Sequence, residues 1–257
     1  MSLVLTPAVV LRTYRYSETS KVVRLATREL GVQSAIAKGV FRPKSRFGAA
    51  LQFLAEGEAQ LYFRESRELH TLGAFDVQNL RQSLAGDVAR FSAAAALAEV
   101  MLKTAPPAPL PAAYDAFVGL LDDLAGAAPE AIEAAGVRAL WVLVAEVGFG
   151  PSLEACARDG TPIDHPRDPV VFSAAEGGVL CGRCAPREPP TKLPPTDYDA
   201  LLALADRAQA LPPLDPSHAA AHRRLVARFV RYHVGEALTA LDSWERHTWA
   251  KASHAAS

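Results

Sequence analysis

Along the first eighty residues the apolar positions fall in short runs that partly alternate with polar ones. The runs are "AVVLRTY" (8–14), "KVVRLATREL" (21–30), "VQSAIAKGV" (32–40), "ALQFLAEGEAQLYFRE" (50–65) and "LHTLGAFDV" (69–77). They are rich in β-branched and aromatic residues. Turn-forming residues separate them at Ser17-Glu18, Gly31, Arg42–Lys44 and Glu65–Arg67, so they predict five short strands. Five strands with antiparallel-type connections suggest a small closed barrel, of which the OB-fold is the common case. After Leu84 the period changes from two to nearly four. "LAGDVARFSAAAALAEVMLKTA" (84–105) places Val88, Phe91, Ala95, Ala98 and Leu102 on one helical face, and the proline run at 106–111 stops it. Further helices are predicted at 112–125, at 129–149 with Pro129 in the first turn and Gly148 near the end, at 197–210, and at 217–244 with Ser217 as N-cap. Residues 150–196 are irregular, proline-rich, and hold all three cysteines.

Charge changes this picture more than composition does. Half of the 257 residues are hydrophobic, as in a globular chain, and the net charge is only −1. Yet residues 1–47 carry nine Lys and Arg against two Asp and Glu. A basic face hidden in a neutral protein points to nucleic acid. "MSLVLTPAVVL" lacks a basic leader and is interrupted by Pro7, and no apolar run is long enough to span a bilayer. The expected location is therefore cytoplasmic.

The cations have a pattern. Lys38, Arg42, Lys44 and Arg46 lie within nine residues, interleaved with Phe41 and Phe47, and Arg12, Arg15, Lys21 and Arg24 lie upstream with Tyr14 and Tyr16. Cations that track phosphates and aromatics that stack bases are the parts of a single-strand-binding surface. An ordinary solvated basic face, with its aromatics in the barrel core, uses the same residues. The cysteines form a second pattern, Cys156-x-x-Asp159 and Cys181-x-x-Cys184. This is the two-by-two spacing of a structural zinc ribbon with Asp in place of one Cys. His165 is a second candidate for the fourth ligand, and a metal-free knuckle held by packing is the alternative. His218 and His222 are four apart, a spacing that can hold a metal, but no third ligand is evident and the first turn of a solvated helix explains them. On the same helix Arg224, Arg228 and Arg231 form a basic stripe beside an apolar one of Leu225, Phe229 and Tyr232. There is no P-loop, no G-x-S-x-G and no paired-carboxylate signature, so no enzyme class is supported.

Taken in order, these stretches resemble the RecO recombination family. Val10–Gln52 carries the family's E-T/S-K stretch at Glu18–Lys21, its T-x-E-x-G turn at Thr27–Gly31 and its A-K-G loop at Ala37–Ser45. Leu69–Leu72 and Phe172–Cys184 also fit, and the resemblance runs over residues 5–245. It implies an α+β chain: an N-terminal five-stranded OB-fold β-barrel followed by an all-α domain with a zinc-ribbon-like insertion. In this chain these parts fall at 1–80 for the barrel, 81–150 and 191–247 for the helices, 151–190 for the insertion, and 248–257 for a frayed tail. It implies a non-enzymatic mediator, associated with the nucleoid. Such a mediator binds single- and double-stranded DNA, anneals strands, and works with RecR and RecF to load RecA onto DNA covered by SSB. The expected DNA-binding residues are Arg12, Arg15, Lys21, Arg24, Lys38, Arg42, Lys44 and Arg46. Cys156, Asp159, Cys181 and Cys184 are the expected ligands of one structural zinc. Arg224, Arg228 and Arg231 are expected to receive the acidic SSB C-terminal tail. An OB-plus-helix adaptor that binds protein rather than DNA is the competing reading.

Overall fold

The computed structural model describes residues 2–164, 168–189, 191–235 and 237–246; the expected tail at 248–257 and His165 lie outside them. Five strands, β1 (Ser2–Arg15), β2 (Lys21–Thr27), β3 (Gly31–Ala37), β4 (Glu56–Phe63) and β5 (Leu69–Asn79), close into a barrel of order β1-β2-β3-β5-β4. Closure comes from the parallel pairing of β3 with β5, Ser34 opposite Leu69 through Ile36 opposite Thr71. The apolar run at Ala8–Leu11 does not alternate because both faces of β1 are covered. Ala8 and Val10 enter the barrel core with Val23, Leu25, Phe47 and Leu72, while Val9 and Leu11 pack outward on the helices.

The fourth strand begins at Glu56, not at Ala50 as the apolar run predicted. Residues 50–55 turn instead, with Leu54 at φ 65°. There the Leu54 amide donates to Val10 O (2.8 Å) and the Val10 amide to Ala55 O (2.9 Å), satisfying β1 where its pairing with β2 slips between Val10 and Arg12.

Seven α-helices follow among the described residues: α1 (Gln82–Ala85), α2 (Val88–Thr104), α3 (Pro111–Gly126), α4 (Ile132–Val144), α5 (Pro195–Ala205), α6 (Pro216–Val234) and α7 (Thr239–Arg246). Helix α4 is the centre of the domain and is buried on every side. Helix α2 faces it with Ala89, Ala93, Ala96, Leu97, Val100 and Met101. The face expected from the sequence is largely the outer one. Val88 and Phe91 are exposed, Ala95 and Leu102 half-buried, and only Ala98 is buried. In an alanine-rich helix every face is apolar enough, and close approach to α4 and α7 selects the one with the small residues.

Two helix ends also differ from expectation. The 217–244 segment is two helices, α6 and α7, broken at Gly235 (φ 116°). The N-cap of α6 is Asp215 rather than Ser217, with Pro216 in the first turn. Its carboxylate accepts the amides of Ser217 (2.8 Å) and His218 (3.1 Å).

The irregular stretch contains a small sheet of order β7-β6-β8, from β6 (Val170–Ser173), β7 (Gly178–Leu180) and β8 (Lys192–Leu193). Phe172 of β6 stacks with Trp141 of α4 and Phe229 of α6, both with ring centres 6.0 Å away. The insertion is thereby rooted in the helical core.

The barrel is pinned to the helices through the β2–β3 turn. A side chain on Gly31 (φ 70°) would meet the carbonyl oxygens of Pro106 and Ala108 at 2.2 Å. Gly31→Ala should therefore destabilise the protein by at least about 2 kcal/mol in urea unfolding, combining backbone strain with a clash. Gly48→Ala, at φ 46° in open space, should cost only the conformational penalty of about 1 kcal/mol.

Candidate nucleic-acid interface and metal centre

Several basic residues of the N-terminal segment lie on the β1–β2 hairpin and the loop that folds over it. Register puts two pairs of like charges directly opposite each other, Arg12 against Arg24 and Arg15 against Lys21. Such pairs are unfavourable by themselves and become favourable when an anion lies across them. The loop after β3 folds back over the β1–β2 hairpin, where the Phe41 amide donates to Thr19 O (3.3 Å). This brings the exposed Phe41 ring under both Arg15 and Lys21, 5.5 Å and 5.3 Å from its centre. Arg12 lies 5.3 Å from the Tyr14 ring. Lys38, Arg42, Lys44 and Arg46 are exposed on the same loop, with Arg46 over Phe47 at 5.3 Å.

Two of the expected residues sit differently from the rest. Phe47 is buried in the barrel core, so it shapes the loop and is not available for stacking; Tyr14, Tyr16 and Phe41 are the exposed rings. Arg24 is half-buried and turns into a cleft shared with Ser34, Arg67 and His70.

None of the seven remaining cations of this group pairs with a carboxylate among the described residues. Elsewhere arginines are committed to the fold. Arg28 makes a bidentate pair with Asp115 (2.8 Å each), which holds the Asp115 carboxyl below its ordinary range. Arg207 binds Asp123 (2.7 Å), and the buried Arg223 binds Glu133 (3.2 Å).

The arginine stripe of α6 divides. Arg231 is bound to Asp242 (2.9 Å) and Glu245 of α7, and Leu225 and Phe229 lie in the core. Arg231 is taken up because the bend at Gly235 folds α7 back onto the end of α6, and Phe229 is covered by Trp141 of α4 and Phe172 of β6, so these positions are not open to a peptide. Arg224 and Arg228 remain exposed and line a cleft of about 330 Å³ with Thr191, Lys192 and Leu193. Arg228 donates to Thr191 Oγ1 (2.7 Å). Lys192 was missed, since thirty residues separate it from the stripe and only the sheet brings it near.

The four residues of the two knuckles do come together. The donor atoms of Cys156, Asp159, Cys181 and Cys184 all lie within 4.8 Å of one another. Asp159 oxygens lie 3.6 Å from Cys181 Sγ and 3.3 Å from Cys184 Sγ. Each knuckle is a tight turn. Gly160 N–H donates to Cys156 O (2.8 Å), and the amides of Cys184 and Ala185 donate to Cys181 O (3.0 and 2.9 Å). Val171, Leu180 and Cys156 form a small apolar floor.

The electrostatics are uneven. The Thr161 amide, with the neighbouring thiols, holds the Asp159 carboxyl far below its usual range. Amides of Cys184 and Arg183 lower Cys181. Desolvation and the Asp159 carboxylate push Cys184 up to about 12. A carboxylate thus shares the site with thiols shifted in opposite directions, and a bound cation is what would favour their thiolate forms together. Three thiolates and a carboxylate at these separations suit a tetrahedral divalent ion.

Comparison with known proteins agrees with this anatomy. A family model described as "Recombination protein O N terminal" matches residues 1–80, and one described as "Recombination protein O C terminal" matches residues 85–242. The chain is 34% identical over 242 residues to proteins named "DNA repair protein RecO" from Anaeromyxobacter sp. (strain K) and Anaeromyxobacter dehalogenans (strain 2CP-1 / ATCC BAA-258). The match covers 90% of this chain and 92% of each relative. Neither family model describes a catalytic family. No helix among the described residues is long and apolar enough to cross a membrane.

Proposed function

The chain belongs to the RecO family and so to DNA repair and recombination, and from that premise we propose that it is a non-enzymatic mediator acting directly on DNA at the nucleoid. It binds single- and double-stranded DNA through the barrel domain (1–80) and anneals complementary strands. With RecR and RecF it helps load RecA onto SSB-covered DNA. The observation that carries the DNA reading is the like-charge couple of Arg15 and Lys21 across β1 and β2, left without a carboxylate among the described residues and faced by the exposed Phe41 ring. The test is fluorescence anisotropy with a single-stranded oligonucleotide across a salt series. A steep fall of log K with log salt supports the proposal. Weak, salt-independent binding favours the adaptor that reads only protein.

In this reading Cys156, Asp159, Cys181 and Cys184 hold one structural zinc, which would stiffen the insertion against the helical core. Protein purified without chelator should carry about one equivalent, and Cys181→Ser less than about a tenth. The variant should gain amide exchange in residues 168–185 while the barrel keeps its protection, because all four ligands come from the insertion. Full metal retention would place the zinc elsewhere.

The acidic SSB tail is assigned to the helical domain at Arg224 and Arg228, with Lys192 beside them. Arg228→Glu should weaken a tail peptide at least about tenfold in calorimetry, since a charge-assisted contact is worth about 1.5–3 kcal/mol. Arg231→Gln should act on the packing of α7 and not on the peptide. An effect of Arg231→Gln alone would move the receptor toward α7.

A further inference from the structure

The histidine pair at the start of α6 has a third neighbour that sequence spacing hides. His222 is only 2% exposed, not solvated as its position in the first turns suggested, and neither of its ring nitrogens has a hydrogen-bond partner. Unsatisfied buried polar atoms cost free energy and call for an explanation. Asp197, in the first turn of α5, places Oδ1 3.4 Å from His222 Nε2 and 3.9 Å from His218 Nε2. From the other side, Asp215 Oδ2 lies 2.5 Å from His218 Nδ1, which leaves Nε2 directed toward Asp197. A carboxylate bound to one ring nitrogen is how metal-ligating imidazoles are oriented.

We infer that His218, His222 and Asp197 form a second metal site, separate from the cysteine cluster, that takes a borderline divalent ion such as zinc, nickel or cobalt and ties α5 to α6. Two imidazoles and a carboxylate suit such ions, and the donors are harder than the thiolates of the insertion. Only the cysteine cluster, among the described residues, already has every donor within 4.8 Å of the others. The donors of the histidine site are spread more widely than those of the cysteine cluster, so it binds more weakly and exchanges its ion. His222 and Asp197 also line the cleft of Arg224 and Arg228, so an ion held there is reachable from solvent. This inference does not rest on the DNA reading.

The test is a titration of the full-length, metal-free protein with cobalt(II) alone, followed by absorbance and calorimetry. A tight class with thiolate-to-metal charge transfer is expected at the cysteines. A second, weaker class without charge transfer is expected at the histidines. His218→Ala, at an exposed side chain, and Asp215→Ser, which retains a capping oxygen but no carboxylate, should each weaken the second class at least about tenfold and leave the first unchanged. Absence of the second class in the unmodified protein overturns the site. So does a second class that stays within twofold in both His218→Ala and Asp197→Asn. Should the cysteines fail to bind cobalt, the charge-transfer band is missing and the second class remains readable by heat.

Discussion

Changing Arg15, Lys21 and Arg42 together to glutamine is expected to lower the salt slope for single-stranded DNA by about 2, at about 0.7 per lost phosphate contact. Near 0.1 M salt a slope change of that size corresponds to about a hundredfold loss of affinity. These three are chosen because the fold brings them to one place. Arg15 and Lys21 face each other across the hairpin, and the loop that carries Arg42 supplies the Phe41 ring that both contact. None holds the structure together through a carboxylate among the described residues, so the variant should remain folded. Arg28→Gln is the control. Arg28 is equally basic and lies at the β2–β3 turn, but it is occupied by Asp115, and its loss should leave the slope unchanged. Phe41→Ala should separate stacking from charge, reducing affinity by about 1–3 kcal/mol at constant slope. A triple variant with an unaltered slope would mean that DNA runs over another face.

The second large effect is expected at Arg81, the residue where barrel and helices meet. Its side chain is 1% exposed and bridges Glu56 of β4 (2.5 Å) to Asp122 of α3. Its own amide donates to Asn79 Oδ1 (2.8 Å), which steadies a backbone at φ 48°. Arg81→Ala removes the cation from between two carboxylates and should cost about 3 kcal/mol in urea unfolding. That is the lower end of the range for a broken buried pair, because Asp122 is half exposed and recovers water. Adding Glu56→Gln and Asp122→Asn to Arg81→Met should recover much of the loss, since the penalty comes mainly from stranded charge. If the single variant loses less than about 1 kcal/mol, the two parts are held together by other contacts, such as the Arg28–Asp115 pair and the apolar seam.

Much of this molecule is legible along the chain because it depends on neighbours in sequence. The five strands follow from alternation and from turns such as Gly31. The helices α3 and α4 follow from their periodicity, with Pro129 in the first turn of the second and the proline run at 106–111 separating the first from α2. The metal-type spacing of Cys156, Asp159, Cys181 and Cys184 belongs to two local knuckles, so short-range geometry was enough to propose it. The basic excess in residues 1–47 is a sum, and sums need no fold.

Tertiary structure alone decided what depends on which segments meet. The apolar faces of α2 are nearly equivalent in alanine, so only packing against α4 and α7 selected one and left Phe91 outside. Gly235 is one flexible residue in a helical pattern. The bend there is set by Arg231 reaching Asp242 and Glu245 and by Glu99 accepting the amides of Ala240 (2.8 Å) and Leu241 (3.0 Å) at the start of α7. Strand register determined that Arg12 faces Arg24 and Arg15 faces Lys21, since a slip of one residue would send these side chains to opposite sides. Asp197 reaches His218 and His222 only because the fold brings the first turn of α5 to the first turns of α6, across about twenty residues of chain that carry no periodic signal of their meeting. Local free energies choose the elements, and the pairing of distant surfaces, worth more in total and unrelated to sequence order, chooses their partners.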